Sequence, residues 1–329
     1  MAVFRQPPEG GSLREVLTMR ILVVGAGAVG GYFGGRLAEA NRDVTFLVRG
    51  RRSDEIKEKG LQIVSPNGDL ILRPKTITAD QIKGSYEMIL LGVKSYALEG
   101  AMNDFAAGVG PETMILPVLN GMRHLDILAT RLGKHAVLGG VCLVATEVDE
   151  EGRIKQLAGF QSLTYGELDG QSTRRLERLD TALRGASFDT AISDQIVTDM
   201  WQKWVQLAAT GAITCLLRGD IGEVAAVPGG AGLSLGALRE CAAIADASGY
   251  PQSEAFLQRQ AADLTAKGSH LTTSIYRDLR KGASVEADAI LGDLLENGRK
   301  RGLVTPILEA AFVNVSIYQH GRDRATRAL

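Results

Sequence analysis

The stretch Met19–Leu37, MRILVVGAGAVGGYFGGRL, decides how the rest of the chain is read. Ile21–Val24 is an apolar run of strand type. Gly25, Gly27 and Gly30 follow it at G-x-G-x-x-G spacing and lead into amphipathic helical sequence. In such a turn the first glycine takes a tight bend and the second lets backbone approach a pyrophosphate. The third lets the helix pack closely on the strand, and the helix N-terminus faces the phosphates. A strand before and a helix after are the context that separates this pattern from a chance glycine-rich turn. Gly25, Ala26, Gly27, Ala28, Val29 and Gly30 are therefore expected to cradle a dinucleotide.

The second strand bears on which dinucleotide. Asp43–Val48 has strand composition and ends at Arg49, with Arg51 and Arg52 close behind. An NAD site usually carries an acid about 20 residues after the glycines, on the ribose 2′-hydroxyl. No acid stands at this strand end. A guanidinium suits a 2′-phosphate through paired hydrogen bonds, so NADP, as NADPH, is the expected cofactor and Arg49 its 2′-phosphate ligand. The plainer reading is a solvated basic loop.

Composition narrows the class. The chain has 329 residues, enough for two domains, and a formal net charge of −1 that gives no reason to invoke nucleic acid or an anionic membrane. Cys142, Cys215 and Cys241 are too widely spaced for a disulfide framework or a metal site, and four scattered histidines add no metal case. No apolar run approaches the roughly 18 residues of a membrane span, and residues 1–18 lack the apolar core of a signal peptide. Those residues read as a disordered extension or an over-called start, with Met19 the natural first residue. A cytoplasmic protein is expected.

From Met19 to residue 193, strand-type runs alternate with helical stretches: Ile21–Val24, Val44–Val48, Met88–Val93, Met114–Pro117 and Val137–Ala145. A hairpin, Leu61–Val64 with Leu70–Leu72, and an antiparallel strand at Phe160–Gly166 extend them. This predicts an α/β doubly wound Rossmann-type domain over 19–193 with an antiparallel extension. From 194 to 329 strand signals vanish. Apolar residues recur at helical spacing through Ile196–Leu217, Leu233–Ser248, Glu254–Lys267, Val285–Gly302 and Thr305–Gln319, an all-α domain. Its apolar faces serve a core or, as an open alternative, a homodimer. A cleft between the two domains is the default active site.

Four short motifs carry candidate chemistry. Lys94 follows the strand run Leu90-Leu91-Gly92-Val93, where ligands gather at strand carboxyl ends. Asn120-Gly121-Met122 follows another strand, and its asparagine can bond ribose or substrate; a plain Asn-Gly turn is the alternative. Trp201-Gln202-Lys203-Trp204 places a lysine between two tryptophans, and desolvation moves a lysine toward the working range of a general acid. A lysine snorkelling from an amphipathic helix is the plainer account. Ser274 through Asp278, then Glu286-x-Asp288, opens an apolar stretch in which Glu286 also suits a helix start.

Together and in this order, across residues 19–319, these pieces resemble the ketopantoate reductase (2-dehydropantoate 2-reductase) family. The resemblance implies a helical domain like the C-terminal domain of 6-phosphogluconate dehydrogenase, and a small 2-oxo acid substrate. It also implies roles: Lys94 and Asn120 contact cofactor and substrate, Lys203 is the general acid, Glu286 binds a substrate hydroxyl and orients Lys203, and Ser274 holds the substrate carboxylate. The implied reaction is NADPH-dependent reduction of ketopantoate to pantoate, for pantothenate and coenzyme A. The chain departs from the family where Leu207, Gly211 and Leu271 stand in place of asparagines. His270, Thr272, Thr273, Thr214 and Arg218 are the candidates to replace them. A different 2-oxo acid on the same scaffold, or an NADPH-sensing protein without turnover, are the competing readings.

Overall fold

The runs Ile21–Val24, Val44–Leu47, Met88–Leu91 and Met114–Pro117 are buried at every position, the pattern of strands covered on both faces of a parallel sheet. The computed structural model describes residues 19–327; the extension expected at 1–18 lies outside them. In chain order the elements are β1 Ile21–Val24, α1 Ala28–Glu39, β2 Val44–Leu47, α2 Gly50–Lys59, β3 Leu61–Val64, β4 Leu70–Leu72, β5 Lys75–Ile77, β6 Met88–Leu91, α3 Leu98–Phe105, β7 Met114–Pro117, α4 Arg123–Leu132, β8 Leu138–Val148, β9 Ile154–Glu167, α5 Arg174–Leu183 and β10 Asp189–Ile192. Helices alone follow: α6 Ile196–Leu217, α7 Ile221–Ala226, α8 Gly230–Ala247, α9 Glu254–Leu264, α10 Ser274–Arg280, a π turn Asp288–Gly292, α11 Asp293–Lys300 and α12 Pro306–Arg327.

The first sheet has the order β5-β2-β1-β6-β7, parallel throughout. The strand order reverses beside β1, which puts the ligand crevice at the carboxyl ends of β1 and β6. The expected antiparallel extension is instead a second sheet, β10-β9-β3-β4, with β8 paired to β9. β9 runs antiparallel to β8 but parallel to β3 and β10. It begins at Ile154 rather than Phe160, because its first residues pair with both β3 and β8.

Helix α1 has glycine where it meets each sheet. A Cβ at Gly34 would strike Phe46 and Val23 of the first sheet, and one at Gly35 would strike Ile63 of the second. Tyr32, Phe33 and Leu37 of the same helix are fully buried in the core shared by both sheets. Small residues on two faces let one helix serve as the filling between two sheets.

The described chain divides into two compact units, one running to Leu119 and resuming over Ile127–Ile196, the other comprising Asn120–Asp126 and Val197 onward. Asn120–Asp126 groups with the helices because Met122 packs on the helical core and Gly121 abuts the backbone of Ala289. That core is built from Trp201, Trp204, Ile213, Cys241, Ile290 and Leu294 among others. No helix among the described residues is long and apolar enough to cross a membrane.

One contact at the crevice is testable directly. A Cβ on Gly92 would lie 2.7 Å from Gly30 Cα and 2.8 Å from Gly30 N, and backbone cannot yield as a side chain can. Gly92→Ala is expected to lower unfolding free energy by about 1–3 kcal/mol, read from urea denaturation; an unchanged midpoint would show that the crevice opens at no cost.

Candidate active site

The glycine turn is shaped by what it excludes. Gly25 has φ +97°, and a Cβ there would meet Gly92 O at 2.9 Å and Val93 Cγ1 at 3.0 Å. A Cβ on Gly30 would overlap Gly25 O, whereas at Gly27 it would meet nothing within 4 Å. The open side of Gly27 is the face a pyrophosphate needs. Gly27 is the N-cap of α1, makes no side-chain cap bond and is followed by no acid in the first turn. The N–H groups of Ala28, Val29 and Gly30 thus lie in the first turn of a helix that presents positive charge to an anion. These residues fit a dinucleotide. Lys94 comes directly after Val93, beyond the end of β6 rather than on it.

The three arginines separate into different jobs. Arg49 is the N-cap of α2, is exposed, and is bonded through Nε to Asp104 with its Nη atoms beside Gly100. Arg51 pairs with Glu55 at 2.7 Å on the surface. Arg52 donates from Nε to Ala26 O at 2.9 Å and from Nη1 to Gly152 O at 2.8 Å. It thereby fixes the glycine turn itself, and its Nη2 is buried without a partner. Spacing alone marked Arg52 only as part of a basic loop. Its signal was there, one helical turn into α2, but the carbonyls that it meets come from distant parts of the chain.

Asn120, Lys203, Ser274 and Glu286 all belong to the helical unit, with Lys203 on α6 and Ser274 at the start of α10. Trp204 Nε1 donates to Ile290 O at 2.9 Å, tying α6 to the π turn. Gly121, at φ +78°, brings the Asn120 turn against the carbonyl of Ala289, the neighbouring residue of that π turn. Glu286 is buried, 5% exposed, and its carbonyl accepts from Ile290 N at 3.1 Å. It therefore lies just before this segment, whose N-cap is Ala287, rather than within it. A one-turn π segment often marks a functional site. The tryptophans do not flank Lys203 in space as they do in sequence. Trp201 and Trp204 lie on the core face of α6, with Trp201 stacked on Tyr250 at 5.3 Å, while Lys203 is half-buried on another face.

Farther along α6, a Cβ on Gly211 would lie 3.5 Å from Thr273 Oγ1 and 3.1 Å from Ile275 Cγ2. Thr273 Oγ1 is buried with no partner. Of the residues considered as replacements for the lost amides, Thr273 is the one set beside a vacated position. His270 bonds Asp220 at 3.0 Å, Arg218 bonds Asn314 at 2.9 Å, Thr214 returns its hydroxyl to Thr210 O at 2.8 Å, and Thr272 accepts from Arg277.

Sequence reasoning missed His124. It lies in the first turn of α4, is 4% exposed, and its Nε2 has no hydrogen-bond partner. Burial, reinforced by the positive charge of Lys203, pushes its pKa down to about 3. The imidazole is neutral at physiological pH.

Glycine cradle, switch point and helical second unit are those of a dinucleotide-linked oxidoreductase. The family model described as ketopantoate reductase PanE/ApbA matches residues 21–170, and that of its C-terminal domain matches residues 195–319. The chain belongs to the ketopantoate reductase family, NAD(P)H-dependent oxidoreductases that act on CH–OH groups. A Bacillus subtilis protein named uncharacterized oxidoreductase YkpB is 33% identical over 301 residues, covering 92% of this chain and 99% of that one. The 2-dehydropantoate 2-reductase of Mesorhizobium japonicum is 25% identical over 320 residues, covering 90% and 97%. The crystal structure of 2-dehydropantoate 2-reductase from Geobacter metallireducens superposes with a TM-score of 0.81 at 27% identity, covering 90% of this chain and 99% of that one.

The state of His124 sets a pH dependence. Its folded pKa of about 3 lies below the ordinary 6.5, so between these values the unfolded chain takes up a proton that the folded chain refuses. Stability from this source is complete above pH 6.5 and falls as the pH drops toward 3. Urea midpoints at pH 7 and 4.5 are expected to differ less in His124→Gln than in the parent chain; equal differences would remove His124 from the acid response.

Proposed function

We propose that this protein reduces the ketone of a small 2-oxo acid with NADPH, with 2-dehydropantoate as the leading substrate, giving pantoate. The observation that carries the reading is the presence of Asn120, Lys203, Ser274 and Glu286 in one helical unit, together with a glycine turn that fits a dinucleotide in the other unit. When bound, the reduced nicotinamide supplies a hydride to the ketone carbon. Lys203 donates a proton from Nζ to the ketone oxygen as negative charge builds there, which completes the alcohol. Glu286 orients Lys203 and accepts from a substrate hydroxyl, Ser274 binds the substrate carboxylate, and Asn120 steadies the reacting end.

NADPH is favoured over NADH by Arg49 at the end of β2 and by the N-terminus of α2, which has no acid in its first turn. Asp104 already engages Arg49 through Nε, so a 2′-phosphate would meet the Nη side of the guanidinium. Arg49→Ala is expected to weaken NADPH binding far more than NADH binding, measured by titration of each; equal loss would leave the arginine only a loop-shaping role.

A second reading has its own support. Leu207 and Gly211 replace two amides on the Lys203 side of α6, and Leu271 is 37% exposed where a third would stand. Each missing amide changes recognition of a substrate hydroxyl by one hydrogen bond, about 1 kcal/mol net. A 2-oxo acid without the hydroxyl of ketopantoate fits such a site. The deciding experiment follows NADPH oxidation with ketopantoate beside a panel of other 2-oxo acids, for the parent chain and Lys203→Ala. The highest kcat/KM on ketopantoate, abolished in Lys203→Ala with NADPH binding retained, supports the leading reading. Preference for another acid selects the second. No turnover on any acid refutes both.

A further inference from the structure

His124 is a buried side chain of the helical unit whose chemistry the proposed function leaves unused. It is almost wholly buried, its Nε2 meets no acceptor or donor, and it follows Asn120 by one helical turn's worth of chain. Leaving a polar group buried and unpaired costs about 1–3 kcal/mol, a cost that a bound ligand removes if it supplies the partner. The Lys203 ammonium is near enough to act on the imidazole electrostatically, and both residues belong to the same compact unit. The Asn120–Asp126 turn that carries the histidine is seated on the π turn by Gly121, and Trp204, next to Lys203, is bonded to that same π turn. The two segments that carry these side chains are thus tied to one backbone feature.

Resting on the 2-oxo acid reading, we propose that His124 is a catalytic residue: its Nε2–H donates to the substrate's 2-oxo oxygen, as a second donor beside Lys203. The oxygen has two lone pairs, so an ammonium and an imidazole N–H can be accommodated together. Kept neutral by its surroundings, the imidazole stabilises the developing alkoxide without competing to deliver the proton, the pattern known for neutral imidazole electrophiles. The proton that completes the alcohol still comes from Lys203. Because the charge on that oxygen grows toward the transition state, the His124 contribution belongs to kcat more than to KM.

Two amide variants of the full-length protein test this, assayed with whichever 2-oxo acid the parent chain reduces fastest. In His124→Gln the amide nitrogen reaches about as far as Nε2; in His124→Asn it falls short. His124→Asn is expected to lose on the order of 100-fold in kcat, with KM, NADPH affinity and melting temperature near those of the parent, and His124→Gln to regain at least about tenfold of it. Unchanged kcat in His124→Asn overturns the role. Equal losses in both variants, accompanied by a lower melting temperature, also overturn it and make the histidine structural. A parent chain that reduces no 2-oxo acid refutes the reductase reading itself, and this role with it; that outcome is distinct because it appears before any variant is made.

Discussion

Three backbone segments meet at Gly25, Gly30 and Gly92 with no room for a single methyl group between them. This constraint sets the distance between β1, the start of α1 and the end of β6. It also places the positive end of α1 over the crevice where the strand order reverses. Nearby glycines of α1 continue the same economy of volume, letting the helix sit against one sheet at Gly34 and the other at Gly35. Arg52 then locks the turn from outside by bonding Ala26 O and Gly152 O. These contacts shape the cradle without a ligand, and a site already shaped leaves less ordering cost for binding.

The helical unit solves a different problem, the placement of residues far apart in sequence. Its solution is the π turn. Widening one turn of helix leaves Ala289 and Ile290 with carbonyls that face outward from the usual ladder. One abuts Gly121 and the other accepts from Trp204. Glu286 stands just before this turn, Lys203 just before Trp204, and Asn120 just before Gly121. Three candidate groups are thus each one residue, or one short step, from a contact to the same piece of backbone. A shift in the π turn would move all of them together.

Much of the fold was legible because burial on both faces leaves an apolar run that spacing can find. β1 and β7 were placed to the residue, and the helical domain was recognised from periodicity. β5 and β10 escaped because they are short, and β10 is mostly exposed along its length. Their polar composition reads as loop, and only pairing to a neighbour makes them strands. The candidate site was legible where a motif is local, as at Gly25 to Gly30, and where the order of motifs matched a family. It was not legible where partners are distant. Lys203 looks enclosed by tryptophans in sequence, yet a helix sends residues 201 and 204 to one face and 203 to another. The grouping of Asn120–Asp126 with the helices has no local sequence signal, since it depends on Gly121 meeting a backbone more than a hundred residues away.

The neighbourhood of Lys203 has an electrostatic logic. A lysine that is to donate a proton has to begin as the ammonium, and a second cation alongside would make that charge harder to keep. Most basic residues would be such a cation. A buried imidazole is not, because removing it from water disfavours its charged form, and the ammonium disfavours it further. The two effects act on His124 in the same direction, and the imidazole stays neutral. Leu207, one turn farther along α6, and Gly211 beyond it bring no amide to this side of the helix. Thr273 Oγ1, buried without a partner, lies beside Gly211, and His124 Nε2 is likewise buried and unpaired. If Lys203 is the acid, polar recognition of the substrate falls to elements other than α6, which can change with substrate while the acid stays in place.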